Sequence, residues 1–210
     1  MSRFRSPPQD IFISTDVESD GPVPGLNSML SFGSVAITQE GELTATFTRN
    51  LDALPEARPH ANTMAWWEDH PEAWKTARDN PQAPGKAMKD YLEWLRALDG
   101  RPVFVGFPAS FDFPFINYYL HRFTGEAPFA TSALDITSYA MAVLQHSSFS
   151  RTSREKFPGH WFEAGLKQEH VALDDAIQQG LLFMNMYREN QARGFPEMPE
   201  IQEFDEMPPP

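Results

Sequence analysis

Cysteine is absent from all 210 residues. That excludes disulfides, thiolate-bound zinc and a cysteine nucleophile. Long apolar runs are absent too: none approaches the roughly 18–20 residues that a membrane-spanning helix needs, and the N-terminal region lacks the apolar stretch of a secretion signal. The expectation is a cytoplasmic protein without membrane association. Positive charge is scarce, with 17 Lys and Arg against 29 Asp and Glu and a net charge of −12. Phosphate-binding domains are usually basic, so this deficit argues at first against nucleic acid as a partner. What is present is ordinary for a folded protein: 41% hydrophobic and 22% charged residues. Disorder, collagen and coiled coil are thereby excluded, and the length fits one domain with an extension.

The acid is unevenly spread. From Phe195 to Pro210 the chain reads FPEMPEIQEFDEMPPP, with Glu197, Glu200, Glu203, Asp205 and Glu206, no base and five prolines. Such a segment is too proline-rich and too acidic to pack, so residues 195–210 read as an acidic tail and residues 1–194 as the domain. Without those five carboxylates the net charge moves from −12 to −7.

Within the domain, Ile11–Thr15, Met29–Ile37 and Leu43–Leu51 read as three strands joined by short turns, an antiparallel meander. Residues 59–83, with Trp66, Trp67 and Trp74, read as irregular because prolines punctuate them. Met88, Tyr91, Leu92, Leu95 and Leu98 recur at helical spacing over Lys86–Leu98. Val103–Gly106 is short and apolar, as a buried parallel strand would be. Pro114 suits the first turn of a helix running to Phe123. Leu134–Ile136 reads as a further strand, Tyr139–Leu144 as a helix, and about Val171 to Arg188 as the last helix. A meander followed by alternating helix and strand predicts an α/β fold, a mixed sheet with helices on both faces.

Three places carry acids or a histidine that do not read as plain surface. Asp16 and Glu18 lie two apart where the first strand runs out, so both project to one face; the ordinary reading is a solvated loop start. Asp112 follows the buried run and Phe111, where a helix cap would serve equally well. His170, Asp174 and Asp175 stand at the start of the last helix, where acids are expected from the helix dipole. Ala172 and Ala176 let that helix approach the sheet closely.

Taken together, a D-x-E on strand one, an aspartate after a buried strand and H-x-A-x-x-D at a late helix resemble the DnaQ-like (DEDDh) 3′–5′ exonucleases of the ribonuclease H-like superfamily. The resemblance spans about residues 10–190 and rests on STDVESDG (14–21), VGFPASFDFPFINYYL (105–120) and HVALDDA (170–176). It implies a ribonuclease H-like fold and hydrolysis of 3′-terminal phosphodiesters with two divalent metal ions, Mg²⁺ or Mn²⁺. The implied metal ligands are Asp16, Glu18, Asp112 and Asp175, hard oxygen donors suited to those ions. Two such ions about 3.5–4 Å apart serve an in-line displacement. His170 is the implied general base, its type near neutrality by nature. Asp175 is preferred over Asp174 because the family's spacing from the histidine is five residues. Pro108 departs from the pattern, since members often carry asparagine there.

A 3′ exonuclease must hold a terminal nucleotide, and bases stack on aromatic rings. Phe111 and Trp66 (or Trp67) are the candidates, each of which could equally fill core. Arg151, Arg154 and Lys156 form a small basic island that is either a phosphate contact or an exposed loop. The single-domain plan is similar to bacterial exoribonucleases, so the expected partner is single-stranded or short RNA, with single-stranded DNA as the alternative. Ribonuclease T and oligoribonuclease are dimers, so the resemblance also implies a homodimer. The rival classes are a non-cleaving DnaQ-like module that binds nucleic acid or a protein, and a nucleotide phosphatase. Bound metal would reverse the local field that a phosphate meets, so the overall acidity does not exclude nucleic acid. It predicts weak affinity for long duplex and metal-dependent capture of an end.

Overall fold

A computed structural model describes residues 9–163, 165 and 170–194. The proposed tail, residues 195–210, lies outside them. Five strands, β1 (Asp10–Ser19), β2 (Met29–Ile37), β3 (Leu43–Asn50), β4 (Arg101–Gly106) and β5 (Leu134–Asp135), form one sheet in the order β3-β2-β1-β4-β5. The meander β1-β2-β3 is antiparallel, and β4 and β5 join it in parallel. Six α-helices accompany it among the described residues: α1 (Ala61–Glu68), α2 (Pro71–Ala77), α3 (Pro84–Ala97), α4 (Ala109–Thr124), α5 (Ile136–Val143) and α6 (Ala172–Ala192). No helix among them is long and apolar enough to cross a membrane.

The two-residue period of the strands divides the core. Ile11, Ile13 and Val17 of β1 face α3 and α4, where Tyr91, Leu92, Phe115 and Tyr119 are buried with them. Phe12 faces the other way, toward Ile136 of α5 and Leu182, Phe183 and Met186 of α6. Both faces of the sheet are therefore covered, as expected of an α/β fold with parallel strands. A smaller cluster, Leu30, Trp67, Ala73 and Ala77, fastens α1 and α2 beside the meander.

Three expectations need correction. Residues 59–83 are not irregular, since they hold α1 and α2. Pro71 starts α2 rather than breaking a helix, and α1 hides its period because its apolar residues do not fall on one stripe. The helix after β4 begins at Ala109, not Pro114. Pro114 removes one backbone donor inside it, and exposure of both Ser110 and Pro114 leaves the freed carbonyl to water. Finally, β1 continues to Ser19, so Asp16 and Glu18 lie within the strand and not beyond its end. Smaller shifts affect Ile136, which opens α5 instead of closing β5, and α6, which runs on to Ala192.

Candidate active site

Pairing of β1 with β4 stops at Ser14, opposite Val105, whereas pairing with β2 continues. A gap therefore opens at the carboxyl ends of two parallel strands, the usual place for ligands in such sheets. Asp16 and Glu18, even-numbered like Phe12, line it on the α6 side of the sheet.

Asp112 reaches the gap from below. The chain turns directly from β4 into α4, and Asp112 sits in its first turn, 2% exposed. Its Oδ1 accepts the Val17 N–H at 3.1 Å. Its Oδ2 is buried without a hydrogen-bond partner among the described residues. The turn is capped from β5, since Asp135 accepts the Ala109 N–H at 3.1 Å and also the Ser138 N–H at 2.8 Å, capping α5. Pro108, where an asparagine was the expected type, is the N-cap position of α4 and gives no side-chain bond.

From above, α6 is drawn onto the sheet by polar bonds and small residues. Ser14 Oγ donates to the Ala176 carbonyl at 2.8 Å, and Gln179 Nε2 donates to the Thr15 carbonyl at 2.7 Å. A Cβ on Gly180 would lie 2.6 Å from Ile37, and one on Gly33 would lie 2.4 Å from the Leu173 backbone. Gly33 pairs across from Asp16, so its bare backbone lets the first turn of α6 sit over the acids. Asp175 is thereby buried at 5% exposure, while Asp174 is exposed. Single ligand atoms of Glu18, His170 and Asp175 all lie within 4.8 Å of one another.

The electrostatics follow from crowding anions out of water. Burial, then the Asp175 charge, raises the Asp16 pKa to about 8. Burial, then Asp16, Asp175 and Asp112, raises Glu18 to about 9. Asp112 is pushed well above the carboxylate range by burial and then Asp16, against the opposing pull of the Val17 N–H. His170 moves the other way, lowered by burial and then by His70. Such a cluster disfavours its own ionisation unless cations are present. A buried carboxylate oxygen without a partner, converging acids and a donor set of hard oxygens all suit a divalent ion of the Mg²⁺ or Mn²⁺ kind.

Of the aromatic candidates, Trp67 is core: it is buried, and its Nε1 donates to the Ser19 carbonyl at 2.9 Å. Trp66 is half-buried, with its ring 4.7 Å from that of His170. Phe111 is half-buried against Phe115. In the basic island, Arg151 and Lys156 are exposed. Arg154 is half-buried, donates to Gln178 one turn beyond Asp175, and lies over the rings of Phe107 and Phe162. His70 and Gly33 were missed by sequence reasoning. The four-residue spacing of Trp66 and His70 is the signal that could have placed His70 on the same side as Trp66.

This sheet order, with acids at the carboxyl end of β1, is the fold of the DEDDh exonucleases of the ribonuclease H-like superfamily. The nuclease domain of 3'hExo, a DEDDh member bound to rAMP, matches with a TM-score of 0.62 and 12% identity over 86% of this chain and 93% of that one. The Mg²⁺- and Mn²⁺-bound form of Pop2p from S. pombe matches with a TM-score of 0.58 and 14% identity over 87% of this chain and 83% of that one. At those identities the likeness concerns the fold. In sequence, the family model described as the 3'-5' exoribonuclease Rv2179c-like domain matches residues 12–186. The 3'-5' DNA exonuclease Cap18 of Escherichia coli is 34% identical over 180 residues, 83% of this chain and 90% of that protein. The chain belongs to the Rv2179c-like 3′–5′ exonuclease family and is a hydrolase of phosphodiester bonds.

Proposed function

We propose that the chain removes 3′-terminal nucleotides from single-stranded or short nucleic acid, RNA before DNA, using two divalent ions held by Asp16, Glu18, Asp112 and Asp175. The observation that carries this reading is the meeting of Glu18, His170 and Asp175 within 4.8 Å beside the orphaned oxygen of Asp112. Bound Mg²⁺ or Mn²⁺ supplies the positive charge that offsets both the acids and the substrate phosphate. His170 takes the proton of the attacking water, and its lowered pKa keeps the imidazole neutral and able to accept it. Asp112, tied to the Val17 N–H through Oδ1, keeps its second oxygen without a hydrogen-bond partner among the described residues and so available to an ion. The bond that breaks joins the terminal phosphate to the 3′ oxygen of the preceding nucleotide. Of the two candidate rings, Phe111 would stack on the terminal base, since the indole of Trp66 is already covered on one face by His70.

RNA is placed first on the description of the matching family model. DNA is the second reading, favoured by Cap18, a DNA exonuclease by name. A homodimer is part of the proposal through the resemblance alone, and sedimentation would test it. The deciding experiment incubates the protein with 5′-labelled single-stranded RNA and DNA in Mg²⁺, Mn²⁺ or EDTA. A one-nucleotide ladder that needs metal is expected, faster on RNA. Intact strands in all conditions would leave a binding module, and a faster DNA ladder would reverse the order of sugars.

A further inference from the structure

Beside the acids three rings meet, and the hydrolytic scheme gives a part in the chemistry only to that of His170. The His70 ring lies on Trp66, centroids 4.0 Å apart and planes 22° from parallel. The His170 ring meets both nearly at right angles, 4.7 Å and 87° from Trp66 and 5.1 Å and 82° from His70. His70 Nδ1 is 2.8 Å from the Trp66 carbonyl oxygen. A carbonyl can only accept, so Nδ1 carries the proton and the bond fixes the plane of the His70 ring.

The stack is anchored in the core. Trp66 packs edge-on against Trp67 at 4.9 Å, and Trp67 is fastened to the Ser19 carbonyl at the end of β1. Contacts thus run unbroken from the strand that bears Asp16 and Glu18 to the imidazole of His170. That imidazole has need of them. His170 has φ +55, a left-handed conformation in the chain just before α6, and no hydrogen bond holds its ring among the described residues. Perpendicular ring contacts are the arrangement that aromatic quadrupoles favour, so they can set an orientation and not merely fill space.

We propose that Trp66 and His70 are positioning residues that hold the His170 imidazole at its working angle toward Glu18 and Asp175. This rests on the reading of His170 as the base. It also differs from a pure base-stacking role for Trp66, because His70 already covers one face of the indole. A reacting group displaced by about 1 Å can lose ~10²-fold in rate. Removal of either ring should therefore lower the rate of the chemical step and leave substrate affinity nearly untouched.

The test compares Trp66→Ala, Trp66→Phe, His70→Ala and His70→Phe by single-turnover hydrolysis of labelled single strands with Mn²⁺. The His170 ring-proton shifts of each metal-free protein are read in parallel by NMR. Expected are kcat losses of about 10- to 100-fold for both alanine variants with KM changed less than about twofold. Both phenylalanine variants should recover most of the rate, and the His170 protons should lose their indole ring-current shift in Trp66→Ala. Raised KM with kcat unchanged would overturn the proposal and make the rings a substrate grip. Unchanged kcat in both alanine variants would overturn it as well. If Trp66→Ala does not fold, the His70 pair carries the same comparison. Should the unaltered protein cleave no nucleic acid at all, the exonuclease reading fails; the shifts then judge the positioning alone, and an unmoved His170 signal refutes it.

Discussion

The two halves of β1 share one strand and one two-residue period, yet they hold opposite chemistry. From Asp10 to Ser14 the strand is paired with β4, and from Phe12 onward also with β2, and Ile11, Phe12 and Ile13 are buried between helices. From Thr15 to Ser19 it is paired with β2 alone, and the even positions are Asp16 and Glu18. The lower half gains from leaving water, because each buried aliphatic side chain contributes about 1.5–3 kcal/mol. The upper half is a liability without a counter-charge, since desolvated acids repel one another. Loss of one neighbour, β4, is what converts a structural strand into the wall of a site.

That contrast can be broken from either end. The largest effect belongs to the upper half: Asp16→Ala or Asp112→Ala should lower metal-dependent hydrolysis by ~10³-fold or more. Titration calorimetry with Mn²⁺ should show weakened binding at the same time. Next, His170→Ala should lose about 10²- to 10⁴-fold of turnover while metal binding persists, and an unchanged rate would remove His170 from the chemistry. In the lower half, Ile13→Ala should cost about 2–5 kcal/mol in urea unfolding with little change in activity per folded molecule. A variant that folds equally well would mean the core relaxes around the cavity.

The smallest effect concerns pH. Acids whose pKa is raised in the fold bind protons more tightly there than in the unfolded chain. Their contribution is therefore greatest below the ordinary carboxylate value of about 4 and is lost as pH rises toward the folded values of about 8 and 9 for Asp16 and Glu18. Metal-free protein should accordingly melt at lower temperature near pH 8 than near pH 5, as far as the cluster decides it. Mg²⁺ should recover more at pH 8 than at pH 5, by about 2–4 °C for each kcal/mol. Asp112→Asn, which retains an acceptor for the Val17 N–H, should flatten this dependence in thermal-shift measurements. A metal effect equal at both pH values would contradict the account of repulsion.

Most of the strands and the grouping of the acids were legible because they depend on local pattern. Alternation marks β2 and β3, and the two-residue spacing of Asp16 and Glu18 forces a shared face wherever the strand ends. The choice between Asp174 and Asp175 was open to spacing, and the structure sets Asp175 against the sheet with Asp174 turned outward. What stayed illegible depends on partners distant in sequence. Prolines hid α1 and α2, whose folding is driven by Leu30 and the end of β1 more than by their own period. Pro114 disguised the start of α4, which Asp135 caps from 26 positions away. His70 acquires meaning only when Trp66 and His170 close around it.

Gly33 has a consequence for anyone selecting or engineering this enzyme. It carries no side chain and lies in an ordinary strand pairing across from Asp16. Yet one methyl there collides with the backbone at Leu173 and must lift the turn that presents Asp175 and follows His170. Genetic screens for lost activity should recover Gly33 substitutions alongside the acids, and directed evolution should find that position closed to every larger residue. The proposed site thus depends on a hydrogen atom in the sheet, where any side chain would collide with the turn above it.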